Sequence, residues 1–260
     1  MKINKIEDTF NEDTYIKHNS TLALEDVEYK FSYIKDLLDN LIIKKEEISI
    51  LDVGGGGGFL GKKVAEYFFS KGYNIKFSAL DVSGKMLEIQ KKNNSFIQST
   101  YNCYLEDLPN NKSFDLVLMI DVIEHIKDRE YASKKISKIS DYALYNIPIE
   151  VNAFDILKNI YMKNGYYKMQ NETLGHVHFF SYFSAKKHFS DYFTPIIHRF
   201  PNYANHILYC NTDEFDQQRN NKLRRYELKI SDFIYKYLRI LAPVINQGSL
   251  FLLGKSKNGE

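Results

Sequence analysis

The sequence ISILDVGGGGGFLG, residues 48–61, gives the clearest indication of the fold. Its β-branched and apolar residues before Asp52 indicate a buried strand. The five glycines that follow, residues 54–58, can take positive φ and let a ligand approach the backbone closely. Leu60, Val64 and Phe68 then recur at helical spacing. This order predicts a strand, a glycine turn and a helix, the arrangement with which α/β proteins bind nucleotides.

A second acid supports a nucleotide site. Asp81 ends another predicted strand, residues 75–80, at roughly the 20-residue spacing at which a carboxylate accepts hydrogen bonds from ribose hydroxyls. The alternative is a tight turn without a ligand, in which Asp81 caps the helix that begins near Ser83.

The sequence motifs in these segments resemble those of the class I S-adenosylmethionine (SAM) dependent methyltransferases. Asp52 followed by GxGxG resembles the family's motif I, and LEDLP at residues 105–109 resembles its adenine-side loop. FDLVLMIDVIEH at residues 114–125 resembles its fourth strand and the turn after it. Within the family, the chain is similar to small-molecule O-methyltransferases of the type 11 and type 23 methyltransferase domains.

The resemblance implies an α/β fold, a Rossmann-like doubly wound sheet of seven strands, mostly parallel with the last strand antiparallel, that binds SAM. Tyr104 replaces the acid that would bond the adenine amino group, so backbone groups of Leu105 and Glu106 are expected to bond the ring edge. The cofactor-binding residues that it implies are Asp52, Gly54, Gly55, Gly56, Gly58, Asp81, Val82, Met86, Leu105, Glu106, Asp107 and Ile120.

Candidate catalytic residues follow the fourth strand. Residues 116–120 are continuously apolar, as in a central parallel strand, so Asp121 and His125 emerge at its carboxyl end, where ligands bind. His125 is a candidate base because an imidazole titrates near neutral pH. The alternative is structural: Glu124 and His125 would hydrogen-bond backbone groups beneath the cofactor.

Two more histidines lie in GHVHFFSYFSAKKHF, residues 175–189. The segment is similar to the GH...FFS segment of several small-molecule O-methyltransferases, which implies that His176 and His178 face the pocket across from His125. In an extended chain, His176, His178 and Phe180 would share one side. The alternative is that these are surface histidines.

The turn after the fourth strand contains candidate ligands for a metal ion. Asp121, Glu124 and His125 resemble the ExxEH motif that holds a divalent cation in ubiquinone-type O-methyltransferases, with Asp in place of the first Glu. Because the shorter arm of Asp reduces its reach, we assign no metal from the sequence.

Composition limits the classes of partner. The 35 basic and 33 acidic residues give a formal charge of +2, without the basic excess of a nucleic-acid binder. Cys103 and Cys210 match no zinc spacing, and no apolar run reaches the ~20 residues of a membrane span. The start is polar rather than a signal peptide. We therefore expect a cytoplasmic protein without stable membrane insertion. By analogy with the family we also expect it to be bacterial, and we expect a monomer or homodimer.

We expect residues 1–260 to form one SAM-dependent methyltransferase domain. Its parts are a helical N-terminal cap (1–45), a SAM-binding core (46–150), a lid and substrate region (151–180) and a helical insertion (205–247). Tyr15 and His18 are expected either to fold over the cofactor, as in many relatives, or to form an exposed cap.

The insertion carries an apolar stripe that we expect to be core: Ile230, Ile234, Tyr237, Leu238 and Leu241. Nearby basic residues leave open an anionic substrate, a second subunit or a membrane surface as its partner.

The predicted activity is methyl transfer from SAM to an oxygen of a small-molecule acceptor, such as a sugar, a polysaccharide precursor or a secondary metabolite. IDVIEH stands where many amino methyltransferases carry Asn or Asp, Pro, Pro and an aromatic residue, which favours oxygen. The alternatives are N- or C-methylation of a small molecule, and a non-catalytic SAM-binding regulator or scaffold.

Overall fold

The computed structural model describes residues 24–210 and 212–257. The prediction for Tyr15 and His18 lies outside these residues. Beside two short 3-10 turns, Leu24–Asp26 and Leu105–Asp107, helices and strands alternate through the first half of the chain. In chain order these elements are α1 (Val27–Leu38), β1 (Glu47–Val53), α2 (Phe59–Ser70), β2 (Asn74–Asp81), α3 (Gly84–Asn93), β3 (Ile97–Asn102), β4 (Phe114–Ile120), α4 (Arg129–Ile139) and β5 (Ser140–Ile149).

The second half of the chain is mainly helical between its last strands. Its elements are α5 (Ala153–Tyr161), α6 (Tyr166–Leu174), α7 (Tyr182–Tyr192), β6 (Phe193–Arg199), α8 (Tyr203–Tyr209), α9 (Asp213–Asn220), α10 (Lys222–Tyr237), α11 (Ala242–Ile245) and β7 (Gly248–Ser256).

The strands form one seven-stranded sheet in the order β3-β2-β1-β4-β5-β7-β6. The strands from β1 to β5 pair in parallel, whereas β7 runs antiparallel to both β5 and β6. The strand order reverses between β1 and β4, and ligands of doubly wound folds bind beyond the carboxyl ends of the strands at such a point. The predicted fold class is confirmed.

The core has two layers, one on each face of the sheet. Every residue of β4 except Ile120 is buried, because helices cover both faces of a central parallel strand. One layer contains Val117, Met119 and residues of α4 and α7, and the other contains Leu116, Leu118 and residues of α1 and α2. Side chains of β4 alternate between the two layers, and this packing fixes the position of the strand. Residues at its carboxyl end are therefore held rigidly enough to form a binding site.

The helical insertion corrects the prediction of a buried stripe. Of the stripe residues only Ile234 is buried, whereas Ile230 is 49% exposed and Tyr237 is 71% exposed. Leu238 and Leu241 are exposed as well. The helices of the insertion bury a small cluster of their own instead: Ala204, Ile207, Phe215 and Leu228. The spacing correctly predicts a helix, but it cannot tell which of two apolar faces packs inward.

Among the described residues, no helix has both the length and the apolar character needed to cross a bilayer.

Candidate active site

The glycine turn between β1 and α2 is built from backbone conformations that favour glycine. Gly54, Gly56 and Gly58 have φ of 60°, 53° and 80°. A Cβ on Gly54 would lie 2.9 Å from Val122, and one on Gly58 would lie 2.9 Å from the backbone of Gln90. The run of glycines is therefore required by the local geometry.

Gly56 marks the open side of this turn. A Cβ there would meet nothing within 4 Å, although the backbone has positive φ. The backbone is thus bare toward the edge where the parallel strands end, which leaves room for a ligand to lie directly on it. This cradle fits the adenosyl compound that the sequence predicts.

The buried side chain of Asp52 packs against the glycine turn. Its carboxylate occupies the space that a side chain on Gly55 or Gly61 would need. Burial raises the pKa of Asp52 to about 7, and the negative charge of Asp81 adds to the shift. Asp52 therefore contacts the turn itself rather than solvent.

Asp81 lies at the carboxyl end of β2, beside the turn. Its Oδ1 accepts the backbone N–H of Ser83 at 2.9 Å, and its Oδ2 accepts Nε2 of Gln90 at 3.1 Å. Ser83 caps α3 through its own hydroxyl, which accepts the N–H of Met86. Capping thus falls to Ser83, and Asp81 is held in a fixed orientation at the strand end.

The other predicted cofactor residues follow neighbouring strand ends. Asn102, which pairs with Asp81 at the end of β3, donates Nδ2–H to the carbonyls of Asp81 and Val82. The turn Leu105–Asp107 follows that strand, with Leu105 buried. Met86 is buried and Ile120 is half-buried at the end of β4. These residues therefore share the carboxyl edge of the sheet with the glycine turn.

Asp121 comes directly after β4 in a strained conformation, with φ of 55°. Its Oδ2 accepts a hydrogen bond from Nζ of Lys30 at 2.9 Å, and its Oδ1 accepts one from Nδ2 of Asn146 at 2.7 Å. Burial would lower the pKa of Lys30, but Asp121 and Asp26 outweigh it and raise that pKa. Lys30 is a site residue that sequence reasoning missed, because one lysine in an amphipathic helix gives no signal of its own.

Lys30 connects the site to the helical insertion. Its Nζ is 3.7 Å from Asp26, which also receives the hydroxyl of Tyr203 at 3.2 Å and lies 3.3 Å from Nε2 of His206. Tyr203 and His206 belong to α8. The insertion is therefore tied to the residues around Asp121.

Three side chains beyond β4 come together: Glu124, His125 and His176. One ligand atom from each lies within 4.8 Å of the others. The backbone fixes the arrangement, because Val177 and His178 both donate N–H to the carbonyl of Glu124, at 2.9 and 3.1 Å. The predicted approach of His176 to His125 is present, with ring centroids 4.8 Å apart.

Glu124 is buried, and its Oε2 has no hydrogen-bond partner among the described residues. Burial raises the pKa of this carboxyl well above its ordinary value, and Asp121 adds to the effect. Burial also lowers the pKa of His125 to about 4, with a contribution from His176. His125 is therefore a neutral imidazole at neutral pH.

Hydrogen bonds fix the tautomers of the two imidazoles. Nδ1 of His176 lies 2.9 Å from both oxygens of Glu150, and Nδ1 of His125 lies 3.2 Å from the carbonyl of Gly175. Because an ionised carboxylate and a carbonyl only accept, each Nδ1 carries the hydrogen and each Nε2 keeps its lone pair. Glu150 was missed by sequence reasoning, although its place just after β5 could have indicated it.

His178 has a different position from the one predicted. Its Nε2 lies 3.0 Å from the carbonyls of Ile126 and Lys127, so this nitrogen carries a hydrogen and holds the loop after β4. The expectation of a shared side for residues 176, 178 and 180 does not describe the two histidines, because only His176 turns toward His125.

Comparison with known proteins identifies a shared domain. Residues 51–140 match the family model described as a methyltransferase domain. The chain is 26% identical over 129 residues to the mitochondrial ubiquinone biosynthesis O-methyltransferase of Candida albicans, covering 47% of this chain and 38% of that protein. It is 34% identical over 87 residues to the ubiquinone biosynthesis O-methyltransferase of Rickettsia akari, covering 31% of each. The aligned parts are less than half the length of these relatives.

Solved structures share the fold at low identity. The N-methyltransferase NodS from Bradyrhizobium japonicum, in complex with S-adenosylhomocysteine, has a TM-score of 0.54 at 11% identity, covering 95% of this chain and 100% of that one. A phosphoethanolamine N-methyltransferase of Haemonchus contortus has a TM-score of 0.58 at 14% identity, covering 94% and 59%. Together with the glycine turn and the sheet order, the methyltransferase-domain match over residues 51–140 supports a class I SAM-dependent methyltransferase fold with SAM as the cofactor.

Proposed function

We propose that this protein transfers the methyl group of SAM to an oxygen of a small-molecule acceptor. The observation that carries the proposal is the Glu150–His176 pair, which presents an imidazole lone pair at the carboxyl edge of the sheet where the cofactor cradle lies. The chain is similar in sequence to proteins named as O-methyltransferases, which supports oxygen as the methylated atom. The solved N-methyltransferases bear only on the fold.

The glycine turn and Asp81 would hold SAM, which supplies a methyl group on a positively charged sulfur. The residues of this chain then have two tasks, to align the acceptor and to remove its proton. Alignment in a favourable geometry contributes up to ~7 to 11 kcal/mol. Hydrogen bonds from Lys30 and Asn146 fix the carboxylate of Asp121 in one orientation. Asp121 would therefore form a rigid part of the surface that contacts the acceptor.

His176 is the residue that we assign to proton removal. An alcohol is a weak acid, and a positioned base contributes about 100-fold to 10,000-fold to such a reaction. Glu150 holds His176 in the tautomer with the hydrogen on Nδ1, so that Nε2 can accept the acceptor proton, and it stabilises the imidazolium that then forms. His125 is a weaker base because its pKa is about 4.

A second reading of the same cluster is a divalent cation. The buried Oε2 of Glu124 without a partner, together with two imidazole lone pairs, is a donor set that suits a transition metal. Glu124, His125 and His176 would hold the ion, and when bound it would lower the pKa of an acceptor hydroxyl. Asp121 is engaged by Lys30, so the set differs from the one that the sequence resemblance implies.

Chelation separates these two readings. The chain is treated exhaustively with a chelator, its metal content is measured, and Mn²⁺ and Zn²⁺ are then titrated by calorimetry against the wild type and Glu124→Gln. Tight binding lost in Glu124→Gln, together with methyl transfer that needs the ion, assigns the cluster to a cation. Full methyl transfer after chelation leaves His176 as the base.

We further place the protein in a reducing compartment such as the cytoplasm. Both Cys103 and Cys210 are free thiols and both are half-buried, which supports a compartment in which disulfides do not form.

Turnover is tested by incubating the protein with SAM and a panel of acceptors: a catechol, a sugar and a primary amine. S-adenosylhomocysteine should accumulate with a hydroxyl acceptor and remain at background without one. Tight SAM binding without any product across hydroxyl, amine and carbon acceptors would favour the alternative of a SAM-binding regulator or scaffold.

A further inference from the structure

The helix α10 has an exposed apolar face opposite the side by which it is attached. Leu228, Ser231, Asp232 and Ile234 are its buried residues. Five apolar residues spaced three or four apart lie together on the outer side, since such spacing keeps side chains on one face of a helix. They are Leu223, Tyr226, Ile230, Phe233 and Tyr237, with exposed fractions of 84, 67, 49, 55 and 71%.

Basic residues border this stripe along one flank. Lys222, Arg225 and Lys229 are exposed and recur at helical spacing beside the apolar residues. The two acidic residues of α10 are paired with other side chains of the protein. Glu227 accepts hydrogen bonds from Lys158 and Arg224, and Asp232 accepts them from Asn202, Asn205 and Lys236. The outer half of the helix is therefore apolar and positive.

Further exposed apolar residues lie on segments next to α10. Lys158 of α5 donates to Glu227 at 2.8 Å, so α5 adjoins α10. On α5, Leu157, Ile160 and Tyr161 are 61, 64 and 88% exposed, and after α10 Ile240 is 92% exposed. Single exposed apolar residues need no partner, but a group of this size on adjoining helices marks an interaction surface.

The charges decide between two occupants of this surface. In a symmetric contact between two copies of the chain, the same patch faces itself. The basic flank would then meet another basic flank, since both acids of α10 already have partners within the same chain. An anionic lipid surface instead offers apolar chains to the stripe and negative phosphates to the flank. Tyr and Phe also suit the boundary between these two environments.

We propose that α10, together with the exposed residues of α5, docks the protein on the surface of an anionic membrane. The helix lies on the surface, in agreement with the absence of a membrane-spanning helix among residues 24–210 and 212–257. This surface binding is separate from the proposed methyl transfer, because no residue of the stripe lies among those that surround Asp121 or His176.

The test is co-sedimentation of the full chain with vesicles. One set contains phosphatidylcholine alone, and the other contains phosphatidylcholine mixed with phosphatidylglycerol. Binding should be strong only with phosphatidylglycerol and should fall as salt is raised. Because each basic residue near such a surface contributes about fivefold to binding, Arg225→Gln with Lys229→Gln should lower it more than tenfold, roughly the product of two such factors.

Apolar variants and a control complete the experiment. Phe233→Ser with Tyr237→Ser should also abolish sedimentation while SAM affinity stays at the wild-type value. The matched control is Phe69→Ser with Lys91→Gln, which removes an exposed aromatic residue and an exposed lysine elsewhere and should bind as the wild type does. Equal binding to both vesicle types, or unchanged binding by the α10 variants, overturns the proposal. A dimer in sedimentation velocity that Phe233→Ser dissociates would assign the face to a second copy and overturn it as well.

Discussion

The Glu150 carboxylate and the His176 imidazole form a pair in which both carboxylate oxygens lie 2.9 Å from Nδ1. The pair joins the end of β5 to the segment after α6, two parts of the chain that are 26 residues apart. Backbone bonds reinforce this contact, because Glu150 and Val151 both donate N–H to the carbonyl of Phe180 at 2.9 Å. Together these bonds set the direction in which Nε2 of His176 points.

The first prediction concerns this pair. His176→Gln should lower the single-turnover rate of methyl transfer by about 100-fold to 10,000-fold, because the base is lost. Glu150→Gln should lower it less, since an imidazole remains but its tautomer is no longer fixed. SAM affinity should change little in either variant. His178→Gln is the control, because His178 bonds two backbone carbonyls and a glutamine amide also donates. Wild-type rates in His176→Gln would remove His176 from proton transfer.

The second prediction concerns the ribose. Asp81→Ala should weaken SAM binding by about 1 to 3 kcal/mol, the cost of leaving hydroxyls without a partner. Calorimetric titration measures it, and circular dichroism checks that α3 persists without the Asp81–Ser83 bond. The exposed Asp141→Ala serves as control. Unchanged affinity in the Asp81 variant would show that another group binds the ribose.

The third prediction compares two glycines with the same local properties. Gly56 and Gly72 both have positive φ, and a Cβ on either would meet nothing within 4 Å. Alanine at both sites should therefore cost a similar backbone strain of about 1 kcal/mol or more. Only Gly56→Ala should reduce SAM affinity, since only Gly56 lies in the cradle. Equal SAM affinities in the two variants would mean that the ligand does not lie on this turn.

The fourth prediction concerns pH and Asp52. Its carboxyl has a pKa of about 7 in the folded chain and an ordinary value of 3.8. As pH rises from 3.8 to 7, the unfolded chain releases this proton while the folded chain keeps it, so the free energy of unfolding falls. Above pH 7 both states are ionised and the full cost remains. Asp52→Asn, which does not ionise, should gain stability relative to wild type between pH 5 and pH 8, by about 2 to 3 kcal/mol.

Urea unfolding without SAM at these two pH values measures the effect. Asp141→Asn is a suitable control because this side chain is 60% exposed. If the two variants respond equally to pH, the cost of burying the Asp52 charge is not the cause.

The sequence predicts the central sheet well because each part of it has a local signal. The glycine run needs positive φ, the apolar β4 needs two covered faces, and Asp81 stands at the end of its strand. The helix stripe around Ile234 shows the limit of such signals. α10 has two apolar faces, and the one that is buried depends on contacts with α8 and α5 rather than on the spacing within α10.

The acceptor side of the site was less predictable for the same reason. His176 was identified through a family segment, but its partner Glu150 and the pairing of Asp121 with Lys30 depend on contacts between distant parts of the chain. Lys30 precedes Asp121 by 91 residues. No periodicity or motif within α1 indicates such a contact, whereas the position of Glu150 at a strand end does give a weak signal.

The chemical identity of the methylated atom is the most direct test of the proposed O-methylation. The full chain is incubated with SAM labelled with ¹³C on its methyl group and with the catechol, the sugar and the amine, and the labelled product is examined by carbon NMR, which separates methyl groups on oxygen, nitrogen and carbon. If His176 removes the proton of a hydroxyl acceptor, a labelled methyl ether should form together with S-adenosylhomocysteine and should be lost in His176→Gln. A label on nitrogen or carbon, or a methyl ether formed equally fast by His176→Gln, would contradict this proposal.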